Sequence, residues 1–299
     1  MFHTEVLATL AYFDLFDYPL TGWEVRRFLW EKKIEPVEVF AALDELVEQE
    51  KLERVLGYYC LPGRSEIIHT RWQRYLLAEP KYKRALRAAR FLRFVPNVLT
   101  VAVCNNLAYS NVKKESDIDL FIITKRKRIW LTRLLVTAVV QLLGLRRYGK
   151  KIANRCCLSF YLTDEHLDIS SLSLPGGDPY LSYWLATLSP LYDCDGAFEK
   201  FWQANTKLLQ QVPNARAKYL SDRRTLREKI IGHYTPTKIG AWLEVSAKRL
   251  QRKIMARRER ERTPGTGVVI SDNILKFHEE DRRELYRQQW KERLARIIS

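Results

Sequence analysis

The stretch "VLTVAVCNNLAYSNVKKESDIDLFIITK", residues 98–125, decides how the rest of the chain is read. Two apolar runs, VLTVAV and IDLFIIT, flank a polar segment of Asn, Ser and Lys. The pattern predicts a strand over 98–105, a short helix or turn over 106–115, and a second strand over 117–124. The second strand opens on two acids, Asp117 and Asp119. Residues i and i+2 of a strand share a face, so both carboxylates converge on one side while Ile118 and Leu120 point into a core. Charge at the edge of an apolar run is costly unless something compensates it. Two neighbouring carboxylates repel unless a cation lies between them. Magnesium meets that need: it is hard, prefers oxygen, and is held by one or two carboxylates together with substrate phosphates. A pair of such ions clamps an in-line phosphoryl displacement.

Working outward, a helix over 128–146 and a strand over 155–163 follow, giving a mixed order of helices and strands. Upstream, residues 65–95 read as a helix, a break at Pro80 and a second helix, ended by Pro96 and Asn97. The first 64 residues read as three helices and a hairpin. "TEVLATLAYFDLF" is apolar at helical spacing, Thr21 caps "GWEVRRFLWEKK", and Pro36 starts "PVEVFAALDELVEQE" with Val39, Phe40, Leu43, Leu46 and Val47 inward. "KLERVLGYYCLPG" alternates around Gly57 as a two-stranded wing. This stretch resembles a winged-helix domain. Such domains commonly place their third helix in the DNA major groove. Here the third helix carries Glu38, Asp44, Glu45, Glu48 and Glu50 and no base, which phosphates would repel, so packing or protein interaction is favoured. Arg26, Arg27, Lys32 and Lys33 on the second helix either touch a backbone or form a solvated face.

The chain of 299 residues is long enough for two or three domains. No run of about 18 apolar residues occurs, so no membrane span is expected. The segment 129–147 comes nearest but is interrupted by Arg133. The start "MFHTEVLATLAYFDLFDYP" lacks a basic n-region and a cleavage site, and a cytoplasmic location is expected. Five cysteines, Cys60, Cys104, Cys156, Cys157 and Cys194, show no CxxC spacing and no His at ligand distance, so buried free thiols are expected rather than disulfides or zinc. The net charge is +16, and residues 214–299 carry 22 Lys and Arg against 11 Asp and Glu, a local excess of +11. Such an excess favours polyanionic partners.

The stretch 98–125 resembles the nucleotidyltransferase superfamily related to DNA polymerase β. That pattern is a strand, a Gly-Ser pair opening a short helix, roughly ten residues, then Asp-x-Asp on the next strand. Here "VAVCNN" stands for the first strand, Asn105 and Asn106 fall on the Gly-Ser pair, ten residues "LAYSNVKKES" follow, and "DIDLFIIT" matches the metal strand. The resemblance covers about residues 85–165, and the whole arrangement looks similar to uncharacterised bacterial nucleotidyltransferase-like proteins. It implies Mg2+ on Asp117 and Asp119, a nucleoside triphosphate held by Asn105, Asn106 and Ser110 with Lys113 or Lys114 nearby, and a nucleic-acid or protein acceptor. The departures are Asn-Asn for Gly-Ser, Tyr109–Ser110 for Arg-Gly, and no acid in the expected third strand "RCCLSFYLT". Asp168, in "HLDIS", is the candidate third carboxylate.

The fold class expected is α+β. A small mixed-sheet nucleotidyltransferase-like core, 98–175, is flanked by the winged-helix-like domain 1–64 and connecting helices 65–97. A helical region 176–262 and a basic tail with a helix, 263–299, follow. "YLSYWLATLSPLYD", 180–193, is aromatic at helical spacing. Tyr183, Trp184, Leu188 and Tyr192 there pack a core or stack a base. "FEKFWQANTKLLQQV", 198–212, reads as a packed helix. "SAKRLQRKIMARRERER", 246–262, is a cationic helix in which Arg252, Lys253, Arg257 and Arg258 either bind nucleic-acid phosphates or form a solvated face. "TPGTG", 263–267, is the clearest link. Ser271 or Asp272 would cap a helix in 270–290, where His278 is read as a surface or packing residue. The leading function is Mg2+-dependent nucleotidyl transfer to an unknown acceptor. The alternative is an inactive protein of that fold acting as a nucleic-acid-binding or regulatory module.

Overall fold

The structure, a computed structural model, describes residues 2–217, 225–226, 238–259, 267–278 and 280–298, with side chains of 256–259 excepted. Helices α1 (His3–Asp14), α2 (Gly22–Phe28) and α3 (Pro36–Glu48) enclose a small antiparallel sheet of strands β1 (Leu20–Thr21), β2 (Glu53–Val55) and β3 (Tyr58–Cys60) in the order β1-β3-β2. Thr21 starts α2 with a reciprocal capping box to Glu24. Val39, Leu43 and Leu46 of α3 are buried as their spacing predicts. Leu56 and Gly57 join β2 to β3, both with positive φ, the backbone that a tight two-residue hairpin turn requires.

One long helix follows, α4 (Ile67–Leu92), with Pro80 inside it. The expected break at Pro80 is therefore corrected. A proline removes the hydrogen bond to the carbonyl four residues back. That residue is Leu76, 71 % exposed, so the carbonyl left without its donor lies at the solvent-facing side of the helix, where the loss is least costly. Strand β4 (Val98–Val103), the single turn α5 (Asn105–Ala108), strand β5 (Ile118–Thr124), helix α6 (Ile129–Leu142) and strand β6 (Cys156–Thr163) then run in the order expected.

Further on, helix α7 (Pro179–Thr187) gives way to strand β7 (Ser189–Asp193). Residues 180–193 are thus not one helix: Leu188 leaves the helical backbone, and Ser189–Asp193 pair with β4. Pro190 is tolerated because β7 is an edge strand. The stretch 198–212 is two pieces, α8 (Ala197–Ala204) and α9 (Thr206–Leu209). They are parted at Asn205, whose buried amide serves Ile169, Leu167 and Phe201 instead of continuing a helix.

The last elements are α10 (Lys238–Glu259), β8 (Val268–Ile270), β9 (Ile274–Phe277) and α11 (Arg283–Ile298). The helix cap expected at Ser271 or Asp272 is corrected: these residues turn the β8–β9 hairpin. The Ser271 hydroxyl accepts from the N–H groups of Asn273 and Ile274, so cap chemistry closes a turn here. Asp272 accepts from the Trp130 indole at 2.8 Å and from Lys248 at 2.7 Å. Residues read as a tail thus enter the body of the protein: β9 pairs with β6, and the Trp290 indole donates to the Ala8 carbonyl.

The central sheet has the order β7-β4-β5-β6-β9-β8, with β5 and β6 parallel and the other pairs antiparallel. Mixed α and β structure is therefore what the chain adopts. Alternation along β5 divides two cores. Phe121 and Ile123 face Phe160, Trp184 and Phe201 in a core continuous with the N-terminal helices. Ile118, Leu120 and Ile122 face Trp130, Val136 and Tyr161 beneath α4 and α6. Helix α10 is fixed to α6 by Glu244, whose carboxylate accepts from the N–H groups of Trp130 and Leu131 at the start of α6. Among the described residues, no helix is long and apolar enough to cross a membrane. All five cysteines are free, with Cys60, Cys104 and Cys156 buried.

Candidate functional site

The alternation of β5 that buries Phe121 and Ile123 puts Asp119 and, just before the strand, Asp117 on the same face. Both are half-buried. Across the parallel ladder Asp119 stands opposite Cys157. The pairing then slips: Phe121 stands opposite Phe160, so β6 spends one residue more than β5. This bulge lets Cys157 and Phe160 both face Asp119's side of the sheet. The result is a group of three, Asp117, Asp119 and Cys157, whose ligand atoms all lie within 4.8 Å of one another.

Burial, together with the negative charge of Asp117, raises the Asp119 carboxyl to about 7. Hydrogen bonds from Asn105 and Cys157 and the charge of Arg147 oppose that rise. Asp117 has a different partner: Arg147, in the loop between α6 and β6, donates to its Oδ2 at 2.6 Å and reaches Cys157 Sγ at 3.7 Å. Burial and the adjacent Asp119 push the Cys157 thiol up to about 12, so it stays protonated at neutral pH.

The loop entering β5 is held from behind by Lys81. Its side chain is buried, and its ammonium donates to the carbonyls of Lys114 and Ser116 at 3.1 and 2.7 Å and to Asn154 Oδ1 at 2.9 Å. Three N–H groups meet three oxygens. Removing them by Lys81→Met leaves three part-buried acceptors without donors, each costing about 1 kcal/mol, the low end for an unmet group that water can partly reach. The expected outcome is a loss of about 3 kcal/mol in urea unfolding with faster amide exchange at Lys114–Ser116. Unchanged exchange there would show that Lys81 does not hold this loop.

Asn105 opens α5 with φ +53, a left-handed backbone that Asn tolerates better than most residues. Its side-chain Oδ1 accepts from the Tyr180 hydroxyl at 3.5 Å. Asn106 is exposed, and its Oδ1 accepts from Tyr109 at 3.0 Å. Ser110 also has positive φ, 61°, and closes the turn through its N–H to the Leu107 carbonyl. Lys113 and Lys114 are exposed on the loop before β5. Asp168 does not join the group. Strand β6 runs parallel to β5, so its end at Thr163 lies six residues beyond Cys157, roughly 20 Å at ~3.3 Å per residue. Asp168 comes later still, exposed, accepting from the Ser170 N–H at 2.7 Å. Among the described residues the group of three is completed by Cys157, which occupies the facing position on β6.

In front of Asp119 and Cys157 opens a cleft of about 680 Å³, with Arg133, Arg146 and Arg147 on its walls and His278 and Glu280 at one side. Sequence reasoning missed this arginine set. Arg133 is fixed by Gln251 at 2.5 Å and lies over the Phe277 ring at 4.8 Å. The aromatic stripe behaves as core: Tyr183, Trp184, Leu188 and Tyr192 are all buried, with Tyr183 stacked on Tyr12 at 4.1 Å. Arg252 and Lys253 are exposed on α10, while the side chains of Arg257 and Arg258 lie outside the described residues. Compared with known proteins, the chain matches no family model, no curated protein and no solved structure.

Proposed function

We propose that the Asp117–Asp119 centre binds the phosphates of a nucleoside triphosphate together with Mg2+ and transfers the nucleotidyl group to an acceptor hydroxyl. The observation that carries this reading is the juxtaposition of two carboxylates with an arginine-walled cleft. Carboxylates alone would repel a polyphosphate. Arginines alone would not need the acids.

The donor set fits a hard cation in part. Asp117 and Asp119 supply oxygen, and Asp119 sits where burial disfavours its charge, so a cation relieves both strains. Cys157, a protonated thiol, adds no ligand for a hard ion. Asp117 and Asp119 are therefore the residues that would hold the metal, which when bound neutralises them and the phosphate oxygens beside them. The protein's own groups do the rest. Arg133, Arg146 and Arg147 draw the phosphates into the cleft. Asn105 holds Asp119 by its amide. The acceptor oxygen forms a bond to the α-phosphorus, the bond to the bridging oxygen breaks, pyrophosphate leaves with that electron pair, and the hydroxyl proton passes to solvent.

A second reading has its own support. The facing position on β6 is a thiol with no basic character, and Arg147 already neutralises Asp117. This favours a protein that binds nucleotide without transferring it. In either reading the first 64 residues are a winged-helix-like unit used for packing or protein contact, since α3 is acidic.

Calorimetry separates the possibilities. Mg2+-dependent binding of a nucleoside triphosphate is expected for the intact protein and is expected to be lost in the Asp117→Asn, Asp119→Asn double variant. No binding of any of the four ribonucleoside triphosphates would sink both readings. Binding without pyrophosphate release across a panel of hydroxyl acceptors would leave the second.

A further inference from the structure

Helix α10 packs with its polar side inward. Gly240, Glu244, Ala247, Gln251 and Met255 recur at helical spacing and are the more buried residues of the helix. Glu244 meets the start of α6, and Gln251 donates to the Trp130 carbonyl at 2.7 Å and accepts from Arg133. The large apolar residues lie outside: Ile239 is 71 % exposed, Trp242 68 %, Leu250 51 % and Ile254 60 %. Arg249, Arg252 and Lys253 are exposed among them, and with Val245 and Lys248 they edge an open groove of about 670 Å³. A helix on the surface of a globular protein ordinarily shows the reverse, apolar inward and polar outward.

The two helices beside it extend this character. Helices α4, α6 and α10 cover one face of the central sheet, where Ala85 and Leu92, Trp130 and Val136, and Ala247 and Met255 share one core. On α6 the side turned from that core carries Leu131, Leu135, Ala138 and Leu142, the last 87 % exposed, and no charge. On α4 the turned-out side carries Lys83, Arg84, Arg87 and Arg90 with Phe91 and Phe94, all exposed. Acids are missing from this layer. None occurs in 80–94 or 129–142, and the one in 238–255, Glu244, is engaged by the N–H groups of α6.

We infer that the outer face of α4, α6 and α10 docks on the surface of an anionic lipid bilayer, with Trp242, Leu250 and Ile254 in the headgroup boundary and the flanking Lys and Arg on lipid phosphates. Exposed apolar surface of this extent marks a place of contact, and the one-sided charge selects the partner. A bilayer meets both demands of the face. It offers phosphates to the bases, and it offers an acyl boundary to apolar side chains about 5–10 Å deep. Trp is enriched at that boundary, and Lys and Arg reach outward to phosphate along apolar stems. Nucleic acid meets only the first demand. Its phosphates would pair with the arginines, but stacking needs a π-face, and Leu142, Leu250 and Ile254 have none. Contact in the surface plane requires no spanning helix.

Co-sedimentation of the full chain with extruded vesicles tests this. The protein is expected to pellet with vesicles of phosphatidylcholine and phosphatidylglycerol and to stay in solution with phosphatidylcholine alone. Each Lys or Arg near an anionic surface contributes about fivefold in affinity, so the triple variant Arg249→Gln, Arg252→Gln, Lys253→Gln is expected to bind about a hundredfold more weakly. The triple variant Trp242→Ser, Leu250→Ser, Ile254→Ser keeps every charge and is expected to bind more than about tenfold more weakly. All six side chains are exposed, so both variants are expected to unfold at the parent's temperature. If either unfolds early, Arg249→Gln and Trp242→Ser alone read the same two effects. No pelleting with the anionic vesicles overturns the inference. So does a serine variant that pellets like the parent, since charge alone then accounts for the binding. Duplex DNA and single-stranded RNA are measured beside the vesicles. If either binds through Arg249, Arg252 and Lys253 while the vesicles do not, the face serves nucleic acid and the bilayer is excluded.

Discussion

Replacing Arg283 by methionine is expected to cost about 3–5 kcal/mol of folding stability, the range for breaking a buried ion pair at one end. Arg283 is 6 % exposed and its partner Asp178 is 1 % exposed. The guanidinium donates to Asp178 Oδ2 at 2.6 Å, to the Leu172 carbonyl at 2.8 Å and to both oxygens of Asp281 at 2.8 and 2.7 Å. Asp178 has a second duty. Its carboxylate accepts from the Leu181 N–H at 2.9 Å as the cap of α7 and from the Leu174 N–H at 3.2 Å. One side chain thus joins α11, the turn at Leu172 and the start of α7. Methionine fills similar volume but leaves a buried carboxylate facing an apolar group. Urea unfolding at pH 7, followed by tryptophan fluorescence, measures the loss. The double variant Arg283→Met, Asp178→Asn removes the stranded charge and keeps a capping oxygen, so it is expected to be more stable than Arg283→Met alone. A single-variant loss below about 1 kcal/mol would mean that the pair contributes nothing net, as buried pairs sometimes do.

Arg283 also marks the limit of what the sequence discloses. It sits in "EEDRRELYRQQW", where composition suggests a solvated face, and nothing in that pattern distinguishes it from Arg282 beside it. Lys81 and Arg147 pose the same difficulty. Neither cation gives a periodic signal, because the place of buried Lys81 depends on oxygens from Lys114, Ser116 and Asn154, and that of exposed Arg147 on Asp117, far along the chain. By contrast β4, β5, β6 and α6 were legible because long apolar runs select their own partners. Strand β7 was hidden because Leu188 to Tyr192 continues the apolar stripe of α7 in one-dimensional spacing, and only pairing with β4 makes it extended. The short strands β8 and β9 gain their stability from β6 rather than from local preference. At the site, the two acids were legible from period two alone. Cys157 was not, since its place depends on a register and a bulge between strands 38 residues apart.

The same two acids give the last expectation. With chelator present, Asp119→Asn is expected to be more stable than the parent at pH 8 and nearly equal to it at pH 4. Burial and Asp117 raise the Asp119 carboxyl from an ordinary 3.8 to about 7. In the unfolded chain the acid loses its proton near 4, whereas in the folded chain it keeps the proton until near 7. Between those values the folded state binds more protons, so the parent loses stability as pH rises and the loss is complete above about 7. Asparagine has no such proton to lose. A tenfold difference in proton affinity between the folded and unfolded chains corresponds to about 1.4 kcal/mol, and a half-buried group is partly screened, so an advantage of at least ~1 kcal/mol at pH 8 is expected. Hydrogen bonding limits the substitution little, since the Asn amide oxygen still accepts from Asn105 and Cys157. Mg2+ is expected to steepen the contrast in reverse. A ligand at 100 times its dissociation constant adds about 2.7 kcal/mol to the state that binds it, so saturating Mg2+ stabilises the parent at pH 8 and leaves the variant unmoved. Thermal unfolding at pH 4, 6 and 8, with chelator and with Mg2+, reads all of this. A variant less stable than the parent at pH 8 in chelator would show that the Asp119 charge is already compensated by Arg147, and that these acids form a structural pair rather than a site awaiting a cation.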